Sequence, residues 1–465
     1  MRAHRHRWHG LIDRLLSFHL PVSHGAAVIA LIGIGLQLPG ALPTRPQAPA
    51  DDSPPLPVLW ISLDDCVPLS GPDTCASQPK LRIDTHDSGG SWPQGLTIEL
   101  RLGERQITCL GLPCITGLPI TDDQGLDITF WAAAPEKQRG PTYSARARML
   151  PIEDPSGRAP DGWYVQILST QWAGHPLESC SVLWEAFPPL QGLPAWLANP
   201  EQPEALATEV QYHFLAARLI AEGAVDAGDC PAGGWLEADV PNACGMQRAA
   251  PLLTAWQNQF DPVIIQTAAQ AHLPATLLKD LIAQESQFWP GSIPALGEFG
   301  LAHLTDDGAD NTLLWNRPFY DSFCPSAFPE AYCNRGYAQL SDYGRSVLRA
   351  ALLDSVNADC NDCTWGVDLA RARTSVSLLG ETLQAYCSQT ARMIFNTAHC
   401  SPGKVSSYED LWKITLASYA AGPGCTSSAL KRASADGKEL SWENVSGALS
   451  DPCTGAVDYV ERIGH

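Results

Sequence analysis

From Leu56 to Phe187, apolar and polar residues alternate with a period of two. Leu96, Ile98, Leu100 and Leu102 fall on one side of the alternation, and Leu126, Ile128 and Phe130 on one side of the next run. Successive strand side chains point to opposite faces, so these runs predict half-buried strands. Tyr143–Leu150, Gly162–Ser169 and Cys180–Phe187 are further strand-length runs, separated by Gly, Pro and Asp clusters that supply turns. The pattern predicts an all-β domain over residues 57–188, of the immunoglobulin-like sandwich kind. Its Trp92, Trp131, Trp163, Trp172 and Trp184 read as packing residues, with a sugar-stacking platform as the alternative.

Beyond the Pro-rich stretch 188–203 the period changes. Leu206, Val210, Phe214, Leu215 and Leu219 recur at helical spacing and predict a helix from Glu204 to about Ala224. That helix and a Gly/Cys loop, Gly228 to Gly245, form a linker over 189–249, and a mainly α domain is expected over 250–465. There Asp261-Pro262 places a capping acceptor and a first-turn proline at a helix start. Leu273-Pro274 breaks that helix and Ala275 begins the next. Leu277, Leu278, Leu281 and Ile282 define its buried stripe, and Glu285 continues the stripe rather than joining Lys279, Asp280 and Gln284.

A carboxylate on a buried face is costly when ionised, so desolvation raises its pKa. That property suits a general acid, which must hold its proton near neutral pH. The alternative is a structural Glu, paired with a buried Arg or capping a neighbouring helix. The residues that follow weigh on the choice. Glu285-Ser286-x-Phe288-x-Pro290, then Gly297-x-x-Gly300-Leu301-x-x-Leu304, resembles the Glu-Ser motif and Gly-rich hairpin of soluble lytic transglycosylases and goose-type lysozymes. Leu416–Gly424 resembles their Ala-Tyr-Asn-Ala-Gly-Pro-Gly motif. Trp365–Leu379 resembles the intervening helix, and Tyr459–Ile463 the terminal one. The resemblance covers about residues 250–465.

It implies a lysozyme-like fold that cleaves peptidoglycan between N-acetylmuramic acid and N-acetylglucosamine, without cofactor or metal. Glu285 is then the general acid and later the base. Ser286 and the Gly297–Gly300 hairpin contact the sugar, and Tyr419 reaches towards the acid. The chain departs from the family at three places. It has Ala302-His303 where Met-Gln is usual, Ala420 where Asn is usual, and Glu298 where a small residue is usual. His303 is a substitute donor or an exposed hairpin residue. Glu298 is a candidate second carboxylate that would make the protein a hydrolase, a muramidase; Asp306, Asp307 and Asp310 are further candidates, and a solvated acidic loop is the plainer alternative. The lost amides leave a third reading, a glycan-binding scaffold without activity. The stretch from about Asp307 to Asp359, rich in aromatics, reads as an ordered insertion.

Composition narrows the partners and the compartment. The 465 residues carry 50 acidic and 30 basic side chains, a formal charge of -20. That excludes nucleic acid, which needs a basic footprint, and leaves a neutral glycan acceptable. Arg2, Arg5, Arg7 and Arg14 precede an apolar run from Ala26 to Leu42, and Pro43, Pro46 and Pro49 follow. This is the order of a secretion signal or a single N-terminal membrane anchor over residues 1–43, with a linker over 44–56. The mature chain is expected outside the cytoplasm, secreted or anchored to the membrane. Fifteen cysteines suit an oxidising compartment. Sequence neighbours suggest the pairs Cys66/Cys75, Cys109/Cys114, Cys230/Cys244, Cys324/Cys333, Cys387/Cys400 and Cys425/Cys453, with Cys180 left free or reshuffling one of them. A zinc site from Cys360, Cys363, Cys387, His399 and Cys400 is the alternative.

Overall fold

The computed structural model describes residues 56–86, 92–135, 139–153, 160–175 and 177–464. The expected signal or anchor and nearly all of the following linker lie outside these residues. Among the described residues, no helix is long and apolar enough to cross a membrane.

The N-terminal region is sheet-rich, as its period-two pattern predicts. Its strands are β1 (Trp60–Asp64), β2 (Thr74–Cys75), β3 (Lys80–Asp84), β4 (Thr97–Leu102), β5 (Arg105–Leu110), β6 (Cys114–Gly117), β7 (Leu126–Ala133), β8 (Tyr143–Ile152) and β9 (Gly162–Leu168). A six-stranded sheet runs β2-β9-β8-β7-β4-β5 and a three-stranded sheet runs β1-β3-β6. Every strand pairing in both is antiparallel. Ile98 and Leu100 of β4 and Ile128 and Phe130 of β7 share one core with Ile61, Leu81 and Ile83 of the smaller sheet. Each fully buried side chain of this kind contributes about 1.5–3 kcal/mol. The larger sheet is a β7-β8-β9 meander with the β4–β5 hairpin on its edge. This order differs from the ABED/CFG order of an immunoglobulin domain. Trp92, Trp163 and Trp172 pack against the core, and Trp131 lies under the Arg139 guanidinium, 4.1 Å from its ring centre.

The C-terminal half is helical. Its longer helices are α1 (His213–Ala221), α2 (Ala243–Asn258), α3 (Asp261–Ala271), α4 (Ala275–Ser286), α5 (Asp306–Trp315), α6 (Asp342–Val356), α7 (Leu369–Ala398), α8 (Tyr408–Ala421), α9 (Pro423–Ala435) and α10 (Gly455–Ile463). The apolar stripe of α4 packs into one core that also holds Trp184, Trp196, Leu215, Trp412 and Ile463. The insertion has its own small core around Leu313, Tyr320 and Leu348, with a Cys324–Cys333 disulfide.

The structure differs from three expectations. Cys180–Phe187 is not a strand: Ser179–Trp184 is a short helix whose Cys180, Ser181 and Trp184 are buried. Trp184 donates through Nε1 to the Cys387 carbonyl at 3.1 Å, and Cys180 bonds to Cys387, so contacts with α7 override the local alternation. The helix expected over Glu204–Ala224 is broken into a turn at Pro203–Leu206 and α1. Side chains of α2 take the backbone between them, with Asn258 accepting from Thr208 N–H at 3.0 Å and donating to its carbonyl at 3.0 Å. Finally, α2 starts inside the expected linker, because Asn242 caps it by accepting from Gly245 N–H at 2.9 Å. Residues 189–249 thus contribute Trp196, Leu197, Leu206 and Leu215 to the helical core.

Two buried arginines fix the crossing between sheet and helices. Arg146 and Arg148 lie on the same face of β8 and donate to the carbonyls of Glu185 at 3.1 Å and Pro188 at 2.9 Å. A cavity of about 880 Å³ opens beside them at the N-terminus of α8. It does not include Glu285 or the hairpin.

Candidate functional site

Helix α4 delivers Glu285 in its last turn. The chain leaves this helix through two successive non-glycine residues with positive φ, Gln287 at 49° and Phe288 at 64°. Such backbone costs free energy and persists only where its surroundings hold it. Here Gln287 Oε1 accepts from Phe214 N–H at 2.9 Å, and Trp256 Nε1 donates to the Phe288 carbonyl at 2.9 Å. The exit re-aims the chain into a double-turn hairpin. Ile293 faces Glu298 across its first turn, and Phe299 faces Leu304 across its second.

Glu298 and His303, one from each turn, face Glu285. His303 Nδ1 lies 3.8 Å from Glu285 Oε2 and 3.4 Å from Glu298 Oε2. Those distances together leave the two carboxylate oxygens no farther apart than the lower part of the roughly 6.5–9.5 Å that an inverting pair spans around its water. Glu285 is mostly enclosed, but 18% of its side chain stays exposed, which leaves a face for a ligand.

Burial pushes the Glu285 carboxyl up to about 7. The Tyr459 hydroxyl opposes this shift, and the Glu298 carboxylate adds to it. Tyr459, from α10, donates to Glu285 Oε1. Burial also raises Glu298, and it pulls His303 down to about 4, so the imidazole is uncharged at neutral pH. Near pH 7 the site therefore holds a carboxyl that still carries its proton about half the time, beside a second carboxylate and a neutral imidazole.

The other expected site residues are placed differently. Ser286 is fully buried, and its hydroxyl donates back to the Ile282 carbonyl at 3.2 Å rather than facing the opening. Gly300 has φ +71°, and a Cβ there would meet Ser375 Oγ at 2.6 Å and the Val356 carbonyl at 2.9 Å. Its glycine thus serves close packing of the hairpin onto α6 and α7. Tyr419 donates to the Ala302 carbonyl at 2.8 Å, so it holds the second turn from beneath instead of bonding to Glu285. Tyr386 of α7 packs on it with ring centres 5.3 Å apart. Of the further carboxylates, Asp310 accepts from Arg349 at 3.0 Å and from Tyr337, and Asp306 lies 3.8 Å from Arg349.

Tyr459 and Tyr386 were not legible as site residues. Tyr459 had a weak signal, since it sits beside the buried Ala456, Val460 and Ile463 stripe of α10. Tyr386 had none, being one of many buried positions on α7.

The cysteines form seven disulfides. Cys180–Cys387 replaces the expected Cys387/Cys400 pair, and Cys400 is free. Cys360 and Cys363 bond to each other, which disperses the alternative zinc set. No protein-family model and no curated protein matches this chain.

Proposed function

We propose that this chain is a lytic transglycosylase of lysozyme-like fold, which cleaves the glycan strands of peptidoglycan between N-acetylmuramic acid and N-acetylglucosamine outside the cytoplasm. The observation that carries the reading is the Glu285 carboxyl, raised to about 7 by burial, partly open to a ligand and oriented by Tyr459. A carboxylic acid with a pKa near the working pH is both proton donor and proton acceptor. Glu285 gives its proton to the bridging oxygen as the bond from the sugar's C1 to that oxygen breaks. The N-acetyl group stabilises the positive centre. The sugar's own 6-hydroxyl then bonds to C1 and returns its proton to Glu285, leaving a 1,6-anhydro end. The seven disulfides support an oxidising compartment.

One observation favours a second reading, hydrolysis. Glu298 and His303 flank the acid closely enough to hold a water, and Glu298 would then take that water's proton. Digesting peptidoglycan sacculi with the purified chain and weighing the fragments tests both. Anhydro ends, abolished by Glu285→Gln and retained by Glu298→Gln, support the transglycosylase. Reducing ends that vanish with Glu298→Gln support the muramidase. No release by the wild-type chain overturns both and leaves a glycan-binding scaffold.

A further inference from the structure

Between α6 and α7 the chain makes a small loop closed by Cys360–Cys363. Within it, Cys363 N–H donates to the Cys360 carbonyl at 3.1 Å and Cys360 N–H to the Gly366 carbonyl at 2.9 Å. Asp359 bridges to Val367 across its base, and Asp368 N–H donates to the Ala358 carbonyl at 2.8 Å. The disulfide therefore closes a loop whose backbone groups already bond to one another.

The loop touches the site from two sides. On one, the Asp359 carboxylate accepts from Ser292 N–H at 3.0 Å through Oδ1 and from the Ser292 hydroxyl through Oδ2. Ser292 opens the hairpin that carries Glu298 and His303. A Cβ at the preceding Gly291 would meet Trp289 Nε1 at 2.5 Å and, less tightly, Asp359 Oδ1 at 3.2 Å. On the other side, Trp365 packs edge-on against Trp256 with ring centres 5.4 Å apart. Trp256 is the residue that donates to the Phe288 carbonyl and so holds the exit of the Glu285 helix. Trp365 itself has φ 59°, an unfavourable backbone for a bulky side chain, held within the closed loop. The segments flanking the loop fix the second turn as well, because Leu301 N–H donates to Ser375 Oγ at 2.9 Å. Asp359 is exposed, so its bonds to Ser292 add little to core burial. What they do is fix one end of the hairpin.

We propose that the Cys360–Cys363 loop sets the spacing between Glu285 and the Glu298–His303 pair, with Asp359 as a positioning residue for the reaction. The inference rests on the reading of Glu285 as the acid, and two measurements separate its failure from the failure of that reading. The first needs no activity: hydrogen exchange at the amides of Ile293, Glu298, Phe299 and Leu304 in the wild-type chain, Asp359→Ala, Asp359→Asn and the double variant Cys360→Ser/Cys363→Ser. Exchange is expected to rise about tenfold or more in Asp359→Ala and in the double variant. It should stay within a few fold of wild type in Asp359→Asn, whose Oδ1 still accepts from Ser292 N–H. Unchanged exchange in Asp359→Ala overturns the proposal. The second measures turnover of soluble uncrosslinked glycan strands. Asp359→Ala is expected to lose about tenfold in kcat with KM within twofold, and Asp359→Asn to recover most of it. A hairpin that loosens while kcat stays unchanged also overturns it. If the wild-type chain does not cleave glycan, the reading of Glu285 fails and the loop is judged by exchange alone.

Discussion

At the scale of single residues, the proton on Glu285 is set by a contest between burial and one hydroxyl. Burial raises the carboxyl, and the Tyr459 hydrogen bond stabilises its charged form and so lowers it. Tyr459→Phe removes the lowering influence and keeps the ring. The Glu285 pKa should then rise further, and the acid stays protonated to higher pH. The alkaline limb of kcat, expected near pH 7 in the wild type, should move up by about one unit, the size of a lost hydrogen bond to a charged group. A pH profile of glycan cleavage checks this, and a limb that stays put or moves to lower pH sinks the assignment. The buried carboxyl was legible because the α4 stripe points it inward. The hydroxyl that tunes it was not, because Tyr459 reaches it from a helix more than 170 positions away in the chain. Ser286 shows the opposite limit: the family resemblance implied a sugar contact, but one step along a helix turns a side chain by about 100°, and here that step leads into the core.

At the scale of elements, the hairpin separates two uses of glycine that read alike in sequence. Gly297 and Gly300 both have positive φ, at 66° and 71°. A Cβ at Gly297 meets nothing within 4 Å, whereas at Gly300 it collides with Ser375 Oγ and the Val356 carbonyl. Gly297→Ala should therefore cost only the backbone strain, about 1 kcal/mol. Gly300→Ala adds a clash against two helices and should cost about 2–4 kcal/mol, displacing Glu298 and His303 as well. Urea denaturation of both variants checks the order, and equal losses would refute it. Local chemistry marked the helix start only in part: Asp261-Pro262 opens α3, but Phe260 stands at its N-cap and the Asp261 carboxylate accepts from the buried Lys279 at 2.7 Å instead of capping. Helix and strand were confused where distant partners decide, as at Cys180–Phe187, whose alternation is overridden by packing on α7.

At the scale of the whole molecule, sequence spacing identified five of the seven disulfides and missed two, the short Cys360–Cys363 and the one that spans the fold. Cys180–Cys387 closes 207 residues and joins the first helix after the sheet region to the middle of α7. Nearness in sequence favoured Cys387/Cys400, but α7 runs on past Cys387 to Ala398, about 16 Å of helix, before the chain turns at His399 to reach Cys400. The chain-entropy model makes stabilisation grow with the closed loop, so removing Cys180–Cys387 should cost about 3–5 kcal/mol. Removing Cys360–Cys363, which closes a loop of only a few residues, should cost much less. The two double Ser variants, melted side by side, should differ by many degrees in Tm, with the Cys180/Cys387 variant the lower. The same connectivity fixes a chemical count. Alkylation in denaturant without reductant should add one label to the intact chain, at Cys400. Peptide mapping that found the label at Cys180 instead, with Cys387 bonded to Cys400, would return the pairing that sequence neighbours suggest. It would also remove the covalent tie that holds the helix after the sheet region against α7, and with it the reason for the expected difference in melting.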